Sequence, residues 1–191
     1  STQFDALNRQ AAETTTKSSG ELLLQVTQGH DAVGNVAKVT ERYFGSTLAP
    51  RIVTNTYDNI NRLHVETAVQ GATTTATVYT FDQANNRTEK AVSTTTGSTN
   101  TTVDTTYGYN NTLNQLETAT TGAAVTTYTY DLNGNRSTLS YKATSTSTPL
   151  VDTYGYDYEN RLASLSKNTT TGSAGTYAYV YDYRTRRVER S

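Results

Sequence analysis

The chain has 191 residues, of which 34% are apolar on a list that omits glycine, 17% are charged, and the net charge is −1. Even with its 12 glycines added, the apolar share stays below the ~45–50% typical of globular domains, so a thick solid core is not expected. The near-zero charge argues against a nucleic-acid partner held through phosphates. The absence of Cys removes any disulfide framework or thiolate chemistry, and no apolar run spans a membrane or reads as a signal-peptide core.

Met is absent as well. Ser1 is therefore not a translation start, and the chain is expected to be a processed or partial piece of something longer. Thr makes up about a fifth of the residues and Tyr is the main aromatic. Both fit a half-exposed pleated surface, whereas Thr runs such as Thr94 to Thr96 and Thr169 to Thr171 are poor helix formers. Those runs are read as exposed strands or flexible loops.

In chain order the first element is Phe4 followed by a turn from Asp5 to Arg9. A strand leads to a softer turn at Ser18-Ser-Gly20. His30 then takes the aromatic place before Asp31-Ala-Val-Gly34-Asn-Val36, and a second soft turn lies between Gly45 and Pro50. Tyr57 precedes the turn Asp58 to Arg62, with Asn61 inside it. The strand after it alternates, with Leu63, Val65, Thr67 and Val69 on one face, a period of two rather than 3.6. Gly71 turns the chain towards Tyr79/Phe81 and the turn Asp82 to Arg87, with Asn85 inside. Gly97 does the same before Tyr107/Tyr109 and Asn110, and Gly122 before Tyr128/Tyr130 and Asp131 to Arg136, with Gly134 inside. Pro149 marks the next soft turn, before Tyr154/Tyr156 and Asp157-Tyr-Glu-Asn160-Arg161. Gly172 to Gly175 is the last soft turn, before Tyr179/Tyr181 and Asp182.

The turn residues Asp5, Asp31, Asp58, Asp82, Asn110, Asp131, Asp157 and Asp182 are spaced by 26, 27, 24, 28, 21, 26 and 25 positions. Such regularity with matching flanks is an internal repeat. Each unit reads as strand, soft turn, strand, Asp turn, so about eight repeats predict roughly sixteen antiparallel strands. The turn motif has a short form, Asp-x-x-Asn-Arg, and a long form, Asp-x-x-Gly/Asn-Asn-Arg, and the two largely alternate. In both, the carboxylate is placed to accept backbone N–H groups two residues on. Gly or Asn occupies the position that needs positive φ, and a bulge closes the hairpin. Leu113 and Thr185 stand where Gly or Asn is expected. A β-branched or bulky residue there is costly, so another turn geometry is predicted for both copies.

The whole chain resembles the YD-repeat (Rhs) family, whose pattern is Tyr-x-Tyr-Asp-x-x-Gly-Asn/Arg-Arg/Leu. Tyr128 to Arg136, Tyr156 to Leu162, Tyr57 to Leu63 and Tyr79 to Arg87 carry the match. The resemblance implies an all-β fold, in which antiparallel hairpin repeats of about 25 residues form one continuous curved or spiralling sheet, a shell or solenoid-like strip. Residues 1–191 would be a single array of such repeats. In that family the shell encloses a C-terminal toxin in bacterial Rhs proteins and insecticidal toxin complexes, and teneurins display a related shell at the cell surface. Nothing in this chain resembles the family's self-cleaving aspartyl protease domain.

The expected role is thus a non-catalytic wall of a secreted or cell-surface protein. Its partners would be further repeats met through the sheet edges, and an enclosed toxin. The alternative is an extracellular fibre or adhesin of stacked repeats, with the tyrosine rows binding a surface glycan. The turn acids have a sufficient reason in capping, which leaves no separate set of catalytic carboxylates. Asp131-x-Asn133-Gly-Asn135 faintly resembles a calcium loop, but Lys142 stands at the twelfth position, where such a loop needs Glu. His30 and His64 have no neighbouring His or Cys, so neither a metal site nor a triad is expected. No cofactor is expected either. The ring rows have a structural reading in cross-strand aromatic contacts.

Overall fold

The computed structural model describes residues 1–168 and 174–191. It is all-β: sixteen strands lie in one open sheet in the order in which the chain makes them, each antiparallel to its neighbours. The soft turn expected at Gly172 falls partly outside the described residues, as does the Thr169 to Thr171 run.

The chain divides into two compact units, residues Ser1–Asp104 and Thr105–Ser191. The first holds β1 (Thr2–Phe4), β2 (Gln10–Thr16), β3 (Leu22–His30), β4 (Val36–Tyr43), β5 (Arg51–Tyr57), β6 (Leu63–Gln70), β7 (Thr73–Phe81) and β8 (Arg87–Thr96). Strand β9 (Thr99–Tyr109) contributes to both. The second holds β10 (Leu116–Thr121), β11 (Ala124–Tyr130), β12 (Arg136–Lys142), β13 (Leu150–Tyr156), β14 (Leu162–Lys167), β15 (Gly175–Tyr181) and β16 (Arg187–Arg190). The Thr94 to Thr96 run is the end of β8.

Two kinds of turn alternate along each unit. At one margin three hairpins close with two residues only: Gly71-Ala72, Gly97-Ser98 and Gly122-Ala123. Their glycines have φ of 58°, 59° and 56°, and the residue after each does not have positive φ. This is the type II′ arrangement, whose twist matches that of the flanking strands. Thr flanks most of these turns and pairs across the ladder, as in Thr73 with Thr96 at 3.0 Å and Thr105 with Thr121 at 2.7 Å between hydroxyls.

The opposite margin carries the Asp turns. Here the residue before the Asp pairs with the residue five after it, as in Tyr57 with Leu63, Phe81 with Arg87 and Tyr130 with Arg136, and the register shifts by one just before that pair. The shift is the bulge that a type I turn followed by a left-handed residue requires.

Within each unit the described strands form a single layer. Among the described residues Val53 is the one buried apolar residue, and no side chain is fully buried. Most strand residues are half-buried on both faces, so stability comes from the hydrogen-bond ladder, from side chains touching along each face, and from the turns.

Candidate functional site

The repeated Asp turn is the one constellation that recurs along the described chain. In seven copies the Asp backbone N–H donates to the carbonyl four residues on, and the residue three on donates back to the Asp carbonyl; Asp131 with Asn135 (2.8 Å) and Gly134 (3.1 Å) is typical. The carboxylate lies inside that loop. Its Oδ1 accepts the backbone N–H groups at two and four positions on, at 3.0 and 2.8 Å from Asn133 and Asn135, and at 3.0 and 2.9 Å from Ile60 and Arg62 in the Asp58 copy. Asp5, Asp31, Asp157 and Asp182 hold the same pair of donors.

The second carboxylate oxygen distinguishes the two sequence forms. In the short form the residue four on is Arg, and its Nε donates to Oδ2 at 2.7–2.8 Å: Arg9 to Asp5, Arg62 to Asp58, Arg161 to Asp157 and Arg186 to Asp182. In the long form Asn takes that place, and its amide donates instead: Asn35 to Asp31, Asn86 to Asp82 and Asn135 to Asp131, at 2.9–3.0 Å. The turn is the same length in both. The arginine one position later in the long form leaves the clamp and lies over a ring: Arg87 over Tyr79 at 5.8 Å and Arg136 over Tyr154 at 4.5 Å from the centroid. Two residues that look equivalent in the sequence, Arg62 and Arg136, therefore differ: both lie over a ring, but only Arg62 also clamps the carboxylate of its own turn.

These contacts hold all seven carboxyls below their ordinary value of 3.8. For Asp5, Asp58 and Asp182 the largest cause is the backbone N–H four residues on. For Asp82 and Asp131 it is the asparagine amide. For Asp31 and Asp157 partial desolvation is the largest single effect and pushes upward, but the donors together outweigh it. With both oxygens of Asp131 occupied by N–H groups, its loop offers a cation little. Among the described residues no three acids or imidazoles gather as a metal site would require.

The residue three after each Asp has positive φ: Asn8 60°, Asn61 64°, Asn85 69°, Asn160 58°, Gly34 102° and Gly134 84°. Asparagine there has a second task. Its Oδ1 accepts a donor from the preceding Asp turn: Asn35 Nδ2 to Asn61 at 3.1 Å, Arg62 to Asn85 at 2.8 Å, and Asn133 and Asn135 to Asn160 at 3.1 and 2.9 Å. The clamp of one turn is thus the tie to the next.

One copy departs from the rule, and a second that was expected to depart does not. The Asn110 turn is longer by one residue: Asn110 N–H donates to Gln115, and the positive φ falls on Asn114, at 55°, rather than on Leu113. The Asp182 turn does not depart as its sequence predicted. Thr185 takes φ 61° and the ordinary turn forms around it. The clamp between Asp182 and Arg186 and the backbone pair over-determine the loop, so the β-branched residue is carried into a conformation it would not choose.

The rings complete the arrangement. The tyrosine just before the turn residue reaches back to the preceding Asp-type hairpin and donates its hydroxyl to the carbonyl at the start of that hairpin's return strand. The pairs are Tyr57 to Val36 (2.8 Å), Tyr130 to Leu116 (2.8 Å), Tyr156 to Arg136 (3.1 Å) and Tyr181 to Leu162 (2.9 Å). Partial burial raises the Tyr130 and Tyr154 hydroxyls above their usual value. Phe81 has no hydroxyl to donate, and the Arg62 guanidinium lies 4.5 Å from its centroid. Arg161 over Tyr181 (4.8 Å) and Arg187 over Tyr179 (5.6 Å) extend the pattern. Tyr107, Tyr109 and Tyr128 are half-buried members of the same rows. His30 is nearly buried, with Nδ1 4.0 Å from Asp5 Oδ2, and His64 Nδ1 lies 3.0 Å from the Tyr79 carbonyl.

No protein-family model and no curated protein matches the chain. Solved structures do match it. They include the crystal structure of TcdB2-TccC3-TEV (TM-score 0.65, 12% identity, 99% of this chain and 11% of that one). Another is TcdB2-TccC3 without its hypervariable C-terminal region (TM-score 0.63, 13% identity, 99% and 12%). A third is the Photorhabdus luminescens Tc holotoxin pore with a TccC3 mutation (TM-score 0.58, 14% identity, 94% and 10%). The fold is a β-hairpin repeat strip, and it is shared with toxin-complex chains that contain Rhs/YD-repeat shells. The chain spans about a tenth of the length of those chains.

Proposed function

We propose that this chain is a non-catalytic segment of the wall of a secreted YD-repeat shell, a single array of repeats whose role is to enclose a cargo. One observation carries the reading: sixteen strands form one sheet in which no side chain among the described residues is fully buried, and successive hairpins are tied sideways. A chain built this way extends a surface rather than surrounding a core of its own. The likeness in fold to the TcdB2-TccC3 chains supports the same reading. The turn carboxylates are engaged by their own turns, which supports a structural rather than a chemical role. Tyr rings buttress neighbouring strands with their hydroxyls, which leaves a glycan less of the ring edge to grip.

Cryo-electron microscopy of the full-length protein that contains this chain tests the proposal. Discrete hollow particles with the array as part of the wall are expected. Filaments, or an array projecting as a free appendage from a solid particle, would overturn it.

A further inference from the structure

Among the described residues two tyrosines stand clear of the sheet: Tyr158 is 90% exposed and Tyr183 84%, and Tyr43 follows at 44%. Each of the first two comes directly after its turn Asp. In the other six copies that place holds Ala6, Ala32, Asn59, Gln83, Asn111 and Leu132. Turn tips ordinarily favour Gly, Pro, Asn, Asp and Ser, and the bonds that close these two turns are made by the backbone, the Asp carboxylate and the Arg clamp. The turn has no use for a phenol.

The two turns lie in the second unit and are held side by side. Strand β14 pairs with β15. The Nη1 of Arg161, the clamp of the first turn, donates to the Asp182 carbonyl of the second at 3.4 Å, and the Tyr181 hydroxyl reaches back to Leu162 at 2.9 Å. Both turns close on the same frame: Asp157 N–H donates to Arg161 at 2.9 Å and Asp182 N–H to Arg186 at 3.0 Å. Equivalent places in equivalent frames send the two tyrosines off the margin in the same direction, from Cα atoms two strand spacings, about 10 Å, apart. Two tyrosine side chains leaning together span that gap edge to edge, and as exposed groups they are free to change rotamer. The spacing is common to every hairpin of the sheet; what is particular here is that two neighbouring tips both carry a phenol. The Arg184 guanidinium lies over the Tyr183 ring, 5.1 Å from its centroid, and so covers a face rather than the edge.

We propose that Tyr158 and Tyr183 form a site of oxidative modification, at which a one-electron oxidant of the haem-peroxidase class, driven by hydrogen peroxide and supplied from outside the chain, joins the two rings as a dityrosine. Each phenol gives up one electron and one proton and becomes a phenoxyl radical. The radicals join through a carbon–carbon bond between the ring positions ortho to the oxygens. The hydrogen on each of those carbons then moves to its oxygen, which restores both phenols. The two electrons and two protons released reduce one hydrogen peroxide to two waters. Other tyrosines are less open to the step. The hydroxyls of Tyr130, Tyr156 and Tyr181 are donated to carbonyls, guanidinium groups lie over Tyr154 and Tyr179, and Tyr43 faces Leu24 across its ladder rather than another ring. The bond ties two successive turns of one molecule where Arg161 already holds them together, so it stiffens the margin and extends no assembly. It does not depend on whether the array belongs to a closed shell.

Treating the dilute 191-residue chain with a haem peroxidase and limiting hydrogen peroxide tests this. Dityrosine fluorescence is expected in the monomer fraction, and mass spectrometry of the digested monomer should show the peptides that hold Tyr158 and Tyr183 joined with the loss of two hydrogen atoms. Tyr158→Phe and Tyr183→Phe each keep the ring at an exposed tip and remove the phenol, so each should abolish that joined pair and the monomer's fluorescence, with the far-UV circular dichroism of the wild type. Tyr43→Phe should leave the yield unchanged. Unfolding the wild type in urea before oxidation should erase the preference for this pair. A monomer without dityrosine, cross-links spread over other tyrosine pairs, a product found only in dimers and lost on dilution, or fluorescence that persists in either tip variant would each overturn the proposal.

Discussion

The tyrosine hydroxyls tie each hairpin to the one before it, and removing a single oxygen measures that tie. In Tyr130→Phe the ring remains and only the 2.8 Å bond to the Leu116 carbonyl is lost. A net contribution of about 1 kcal/mol is the usual worth of such a bond, and leaving a half-buried carbonyl without its donor puts the cost at the upper end of about 0.5–1.5 kcal/mol. Tyr57→Phe is the internal comparison. The Val36 carbonyl that loses its hydroxyl keeps the Asn55 amide at 2.9 Å, so its cost should fall near ~0.5 kcal/mol. The reverse change belongs at Phe81. The phenylalanine borders an open depression of about 260 Å³ lined with Leu63, Tyr79 and Arg87, and it stands at the repeat position whose tyrosine donates to a carbonyl in four other copies. Phe81→Tyr should therefore stabilise by up to about 1 kcal/mol. Urea unfolding followed by far-UV circular dichroism reads all three, with an unchanged slope as the check that only stability moved. In a chain of this length, about 1 kcal/mol corresponds to roughly 2–4 °C in Tm. Equal costs for Tyr130→Phe and Tyr57→Phe, or a destabilising Phe81→Tyr, would refute the reasoning.

Asn160→Gly keeps the positive φ but deletes the oxygen that receives Asn133 and Asn135; a loss of about 1 kcal/mol is expected, part of it the conformational cost of glycine, and urea unfolding measures it. At the same turn position Thr185→Asn should gain ~0.5–1 kcal/mol, because asparagine tolerates the left-handed region that threonine resists; slower hydrogen exchange in β15 and β16 reports it. Acid should unfold the array. A carboxyl held below its ordinary 3.8 contributes stability that is fully present above that value and is lost as the pH falls through the depressed folded value, so strand content should hold down to about pH 4 and fall below it. A strand signal unchanged from pH 7 to pH 2 would mean that the carboxylates do not hold the turns.

What the sequence showed plainly was local. The Asp turn and the Gly71, Gly97 and Gly122 turns are each set by four or five adjacent residues, so composition and spacing reveal them, and with them the strand count. What it hid is contact at a distance. The carbonyl that Tyr156 grips belongs to Arg136, 20 residues earlier, and no pattern in the Tyr-x-Tyr doublet names it. The double role of Asn61, Asn85 and Asn160 was hidden behind their tolerance of positive φ. The difference between Arg62 and Arg136 lay in a one-residue offset that read as a longer turn but is a change of clamp from Arg to Asn. Local preference alone does not account for Thr185, because the Asp182–Arg186 pair overrides it. The rhythm of Leu63, Val65, Thr67 and Val69 weakens at its far end, where Val69 is exposed, since a one-layer sheet has no core to enforce a face.

Nuclear Overhauser contacts across the Asp-turn hairpins test the central claim most directly. The register predicts Tyr128 facing Leu139 and Tyr154 facing Leu165 across their hairpins, with Tyr130 opposite Arg136 after the one-residue shift. Cross-strand contacts between these pairs, together with slow exchange of the Asp131 amide that donates to Asn135, are the expected result. Contacts three and four residues apart along Tyr128 to Arg136, or strand pairs offset from this register, would contradict it.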